Sequence, residues 1–145
     1  REAWARYALP LAITESHNGC TREEQVRWVR EGWETALHLR SEGVDLRAFT
    51  AWALLGSHDW CTLLTCDGDL YEPGAFDVRS GLPRPTAIAA ELRRLAGAAD
   101  PPHPATEGPG WWRRDIRLEH RPVTPDVGGV GIRRRWRGSG SGGPP

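Results

Sequence analysis

The apolar positions of this chain follow two different periods. Residues 8–15, ALPLAITE, form a short apolar run with β-branched character that breaks into the polar SHNGC, as a buried parallel strand does. From Thr21 the spacing becomes helical. Val26, Val29, Trp33 and Leu37 make one apolar stripe. Thr21 with Glu24 three residues on predicts a capping box. Glu23–Arg27, Arg27–Glu31 and Arg30–Glu34, four apart, predict ion pairs on the wet side. Gly43 falls where a helix ends in a left-handed residue. Residues 46–55, LRAFTAWALL, read as a second buried strand. Strand, helix and strand with short connections form a β-α-β unit, so the two strands should be parallel neighbours. The loop from about Gly56 to Pro83 is too long to be idle. Thr86 should then cap a last helix, AIAAELRRLA, that ends near Gly97.

Beyond Gly97 the texture changes. PPHPATEGPG, PVTPDVGG and GSGSGGPP are linker composition, interrupted by WWRRDIRLEHR and IRRRWR. The expected organisation is therefore an α/β part over residues 1–96 and a Pro/Gly/Arg-rich linker or largely disordered tail over 97–145. No internal repeat is visible. With 145 residues there is length for one domain. One β-α-β unit and a helix cannot close a barrel or cover both faces of a parallel sheet. The chain also has no methionine. Both features fit a piece of a larger protein.

Charge narrows the range of partners. All 19 basic residues are arginine against 19 acids, and the formal net charge is zero. The acids dominate the first 96 residues and the arginines the remainder, so only the tail could attract phosphate backbones. Its arginines are interspersed with Glu107, Asp115, Glu119 and Asp126, which favours a solvated linker over a nucleic-acid surface. Three cysteines are too few and too sparse for a disulfide framework. No apolar run approaches the roughly 20 residues needed to span a bilayer, and no cationic leader opens the chain. A cytoplasmic protein, without membrane or nucleic-acid partner, is the default reading. His17-x-x-Cys20 and His58-x-x-Cys61-x4-Cys66 offer soft ligands, but no paired CxxC occurs, and free thiols are preferred to a metal site.

Functional groups of parallel α/β proteins gather where strands end. The first strand runs out into Thr14-Glu15-Ser16-His17-Asn18-Gly19, which places a carboxylate at its exit. The second runs out through Trp52 to Asp59-Trp60, a carboxylate between two tryptophans. Carboxylates accept hydroxyl hydrogen bonds, and indole faces cover the C–H faces of a pyranose, so the pattern suits a sugar.

These residues carry a resemblance. Ile13-Thr14-Glu15 followed closely by Asn18-Gly19 resembles the Thr-Glu-Asn-Gly motif of glycoside hydrolase family 1, at the end of the seventh barrel strand. The stretch from Trp52 to Trp60 resembles that family's Trp-Ser-Leu-Leu-Asp-Asn-Phe-Glu-Trp motif at the eighth strand. Trp52, Leu54, Leu55 and Trp60 match, and Asp59 stands for a sugar-binding glutamate. Arg84-Pro85-Thr86-Ala87, leading into a last helix, is similar as well.

The resemblance implies a partial (β/α)8 TIM barrel, its last two β/α units, from a retaining O-glycosidase of carbohydrate metabolism. Glu15 would be the catalytic nucleophile, and Trp52, Asp59 and Trp60 would bind substrate, with no cofactor and no metal. The family's acid/base glutamate lies in an Asn-Glu-Pro segment of the fourth strand, and no Asn-Glu pair occurs here. The hydrolase activity expected of the parent is therefore not expected of this chain alone. The implied partners are a carbohydrate substrate and the remainder of the barrel.

Three departures bear on this reading: a Ser-His insertion after Glu15, Gly56 in place of an aspartate, and the shorter Asp59. They resemble a divergent branch fused ahead of a dTDP-4-dehydrorhamnose reductase domain. The alternative function is a non-catalytic barrel that binds a sugar or sugar nucleotide and scaffolds such a reductase.

Overall fold

The computed structural model describes residues 1–62, 65 and 67–116. The elements begin with α1 (Glu2–Tyr7), β1 (Leu11–Ser16), α2 (Arg22–Ser41) and β2 (Leu46–Ala51). β1 and β2 pair in parallel, so the strand–helix–strand order is a β-α-β unit and the protein is mixed α/β. Leu11 and Ile13 of β1 and Phe49 of β2 pack on a cluster of Ala36, Val44 and Leu46, with Trp4 and Leu39 closing its sides. α3 (Ala87–Leu95) lies against α2, and Val26, Ala75, Ile88 and Ala89 form a second small core between them.

Each strand is shorter than its apolar run. The first begins at Leu11 because residues 2–7 are helical and Ala8 is left-handed (φ 47°). The second ends at Ala51, where the chain leaves the sheet through a cis Trp52–Ala53 peptide. Among the described residues every sheet has two strands, and no barrel is formed. Ala12 and Thr14 of β1, with Ala48 and Thr50 of β2, are exposed on the face turned away from α2. Parallel sheets are ordinarily covered on both faces, whereas among the described residues this face is uncovered.

The long loop is partly organised. β3 (Ser57–His58) pairs antiparallel with β4 (Tyr71–Glu72), and β5 (Phe76–Asp77) with β6 (Arg84–Pro85). Two glycines let these hairpins fold back over the end of β2. A Cβ on Gly56 would overlap the Tyr71 ring, and one on Gly74 would sit 2.4 Å from the Ala53 carbonyl oxygen.

Several local expectations change in three dimensions. Neither Thr21 nor Thr86 caps its helix through its side chain. The Thr86 hydroxyl instead donates to the Gly74 and Ala75 carbonyls, tying α3 to the hairpin. Glu24 turns inward and takes other partners, so the capping box does not form. In the helical stripe Leu37 is 46% exposed and Ala36 takes the core position. Gly43 is left-handed as expected (φ 91°). Of the three i,i+4 ion pairs, Arg30–Glu34 is made at 2.9 Å, whereas Arg27 pairs with Glu24.

Part of the stretch with linker composition is packed against the α/β part. Residues 104–114 lie along α2 and include two short 3₁₀ turns, Pro104–Thr106 and Trp111–Arg113. Trp112 meets Trp28 edge to face with centroids 4.9 Å apart. Arginines and indoles facing acids on a distant helix leave no local period, which is why this segment reads as linker. Residues 117–145, with Trp136 and the second arginine cluster, lie outside the described residues.

Candidate functional site at the strand ends

β1 carries one more residue than β2 at its C-terminal end. Ile13 pairs with Phe49 and Ser16 with Ala51, so three steps on β1 oppose two on β2. Such a bulge breaks the strict alternation of side chains and re-aims those within it. Glu15 sits in the bulge and is exposed. Among the described residues its carboxylate has no hydrogen-bond or ion-pair partner. It lines a cleft of about 280 Å³ together with His17, Trp28, Glu31 and Phe49.

At the end of β2, Trp52 and Trp60 lie together, with ring centroids 5.1 Å apart and planes inclined at 35°. Trp52 is half-buried and Trp60 is 44% exposed, so an indole remains open to solvent beside the strand ends. The His17 imidazole meets Trp52 edge-on at 4.8 Å. Its Nε2 lies 2.6 Å from Glu72 Oε1, and both side chains are 22% exposed. The histidine of the Ser-His insertion is thus fixed between a β4 carboxylate and an indole.

Glu72 is the member of this constellation that sequence reasoning missed. It lies 55 residues from its partner, and the only signal pointing to it was the length of its loop.

Asp59 is engaged by its own loop. It is 8% exposed and left-handed (φ 54°). Its carboxylate accepts the backbone N–H groups of Gly68, Asp69 and Leu70 at 3.0–3.2 Å. A carboxylate removed from water needs such donors, and three successive amides supply them. Asp59 holds the 59–70 loop and is absent from the residues lining the Glu15 cleft. The two strands adjoin in parallel as expected, but their two carboxylates do not share the cleft.

Around this rim the other acids are tied. Glu31, at the edge of the cleft, accepts Trp112 Nε1–H at 2.8 Å and the Arg113 guanidinium at 2.6 Å. Burial raises the Glu31 carboxyl, and these two donors outweigh it, leaving a net shift below the ordinary value. Cys20 shows the opposite. Burial first, then the charges of Glu24 and Glu72, push its thiol up to about 12, against a smaller opposing effect of Trp111. Cys20 Sγ donates to the Asn18 carbonyl at 3.4 Å and His17 turns to Glu72, so these two side chains do not converge as a ligand pair. Among the described residues no group of three or more His, Cys, Asp or Glu is placed to hold a metal ion. Arg113 and Arg114 of the tail are paired with Glu31 and Glu24.

No protein-family model matches the chain, and neither a curated protein nor a solved structure is significantly similar to it. Among the described residues no helix is long and apolar enough to cross a membrane.

Proposed function

We propose that the chain supplies the seventh and eighth β/α units of a (β/α)8 barrel similar to glycoside hydrolase family 1, with Glu15 as nucleophile of a retaining O-glycosidase. The observation that carries this reading is the unpartnered Glu15 carboxylate in the bulged end of β1, beside a parallel strand that ends in the Trp52–Trp60 pair. The uncovered Ala/Thr face of the sheet supports the need for further barrel strands.

In such a site a Glu15 oxygen attacks the anomeric carbon while the bond to the leaving-group oxygen breaks. A second carboxyl group about 5–5.5 Å away gives that oxygen its proton. Water then displaces Glu15, losing its proton to the same group. That group must come from the rest of the barrel, because no Asn-Glu pair occurs in this sequence.

The test is covalent trapping by the protein in its complete reading frame. An activated 2-deoxy-2-fluoroglycoside needs no acid to release its leaving group, so it interrogates the nucleophile alone. Peptide mass spectrometry should find the sugar on Glu15. Hydrolysis with the sugar attached to another carboxylate would overturn the assignment. The second reading, a non-catalytic sugar-binding scaffold, is favoured by Asp59, whose carboxylate is occupied by backbone amides. It would show saturable sugar binding with no covalent adduct.

A further inference from the structure

Asp59, in the position of a sugar-contacting carboxylate, has its oxygens closed off, and this leaves a vacancy in hydroxyl recognition. A polar group of this cleft with fixed geometry is His17. It follows Glu15 by two residues and lines the same cleft. Two contacts from distant parts of the chain hold its ring: Glu72 at 2.6 Å on Nε2 and the Trp52 indole at 4.8 Å.

When the Nε2–H of a neutral imidazole donates to a carboxylate, the tautomer is set and Nδ1 carries a lone pair. No described residue hydrogen-bonds Nδ1. A ring restrained from two sides has little rotamer freedom left to lose on binding, which is the arrangement a specificity contact requires. His17 and Glu72 therefore present an oriented hydrogen-bonding edge in the Glu15 cleft. The hydroxyl of a bound pyranose both donates and accepts, so it matches Nδ1 whether or not that atom carries a proton.

We infer that His17, oriented by Glu72, is a specificity-determining contact to a ring hydroxyl of the sugar seated at Glu15, and that Glu72 is its positioning residue. This rests on the glycosidase reading of the same site.

The experiment compares p-nitrophenyl β-glucoside with its monodeoxy analogues on the full-length protein, for wild type, His17→Gln, Glu72→Gln and Glu15→Gln. Wild type should discriminate against one deoxy sugar by about tenfold or more in kcat/KM. In His17→Gln that one preference should collapse towards unity, while the ratios for the other deoxy sugars stay unchanged. Glu72→Gln should shrink the same preference by a smaller factor. A merely structural role would lower every substrate by a common factor, and that outcome overturns the inference. So does an unchanged pattern in His17→Gln. Hydrolysis that survives Glu15→Gln refutes the nucleophile assignment separately, and a wild type that hydrolyses none of the glycosides removes both.

Discussion

The Glu15 end of β1 and the outer flank of α2 treat carboxylates in opposite ways. On the flank, Glu24 is 4% exposed and accepts Arg27 and Arg114 at 2.6 Å and the Trp111 N–H at 3.0 Å. Glu91, at 1% exposure, is gripped by the Arg94 guanidinium. At the rim, Glu15 is exposed without a partner and Glu72 holds a single imidazole. A carboxylate enclosed by guanidinium groups has neither spare lone pairs nor negative potential to offer a ligand. Glu15 has both. Burial and saturation mark the acids that build this fold, and the unsatisfied acid at a strand end is the one the proposed reaction uses.

The comparison is broken most directly at Glu15. In the full-length protein, Glu15→Gln should lower glycoside turnover by roughly four orders of magnitude, as loss of a covalent nucleophile does. Its unfolding free energy from urea titration should stay within about 0.5 kcal/mol of wild type, because no described contact is lost. A clear drop in stability would mean that Glu15 is structural like its flank counterparts.

Cys20 sits between the two regions and senses a charge from each, Glu24 on the flank and Glu72 at the rim. With its thiol pushed up to about 12, the reactive thiolate at pH 8 should be scarcer by about three orders of magnitude than in an ordinary cysteine. Alkylation by iodoacetamide, followed in a Cys61→Ser/Cys66→Ser background, should be correspondingly slow in the folded protein and fast in urea. The same linkage predicts lower stability as pH rises from the unfolded thiol value towards 12, since the unfolded chain then releases a proton the folded one retains. Fast labelling of the folded protein would show that Cys20 is not buried beside these two acids.

The parts of the molecule governed by local periodicity were legible in the sequence. Val26 and Val29 recur at helical spacing and are buried, and Gly43 takes the left-handed position. ALPLAITE overlaps the first of the two parallel strands and LRAFTAWALL contains the second. What escaped depends on distant partners. Nothing near Glu24 announces that Trp111 and Arg114, some ninety residues on, will satisfy it. The Trp52–Trp60 pairing was accessible because both ends lie in one motif. The His17–Glu72 pairing was not, because it joins an insertion to a hairpin with no pattern of its own. The loop contacts of Asp59 were not legible, because an aspartate between tryptophans looks the same whether it faces a sugar or the amides of its own loop.

On the flank, Glu24→Ala should destabilise the chain by about 2–3 kcal/mol, because it leaves a buried amide and two guanidinium groups without their acceptor. Trp111 and Trp112 should move into water, shifting tryptophan emission to the red before global unfolding. Equal stability with unchanged emission would mean that residues 104–114 are held by other contacts, and the saturated-acid description of the flank would fail.

The finest test is acid titration at Asp77. Hydrogen bonds from the Arg79 side chain and backbone, with Arg84 beside them, hold this carboxyl well below the usual range despite its burial. As pH falls below about 4 the unfolded chain takes up the proton first. The stability that Asp77 contributes is therefore full above that value and is lost as pH drops through the lower folded-state value. In Asp77→Asn the decline of the urea midpoint below about pH 4 should be shallower, with the remaining slope contributed by groups that include Glu31, Glu23 and Asp45, whose carboxyls are also lowered. The change should be small, because Arg79 and Arg84 are at least half in water and solvent screens their charges. An unaltered slope would mean that the Asp77 arginines contribute geometry to the β5–β6 hairpin but no net charge stabilisation, and the contrast with Glu15 would then rest on Glu24, Glu31 and Glu91 alone.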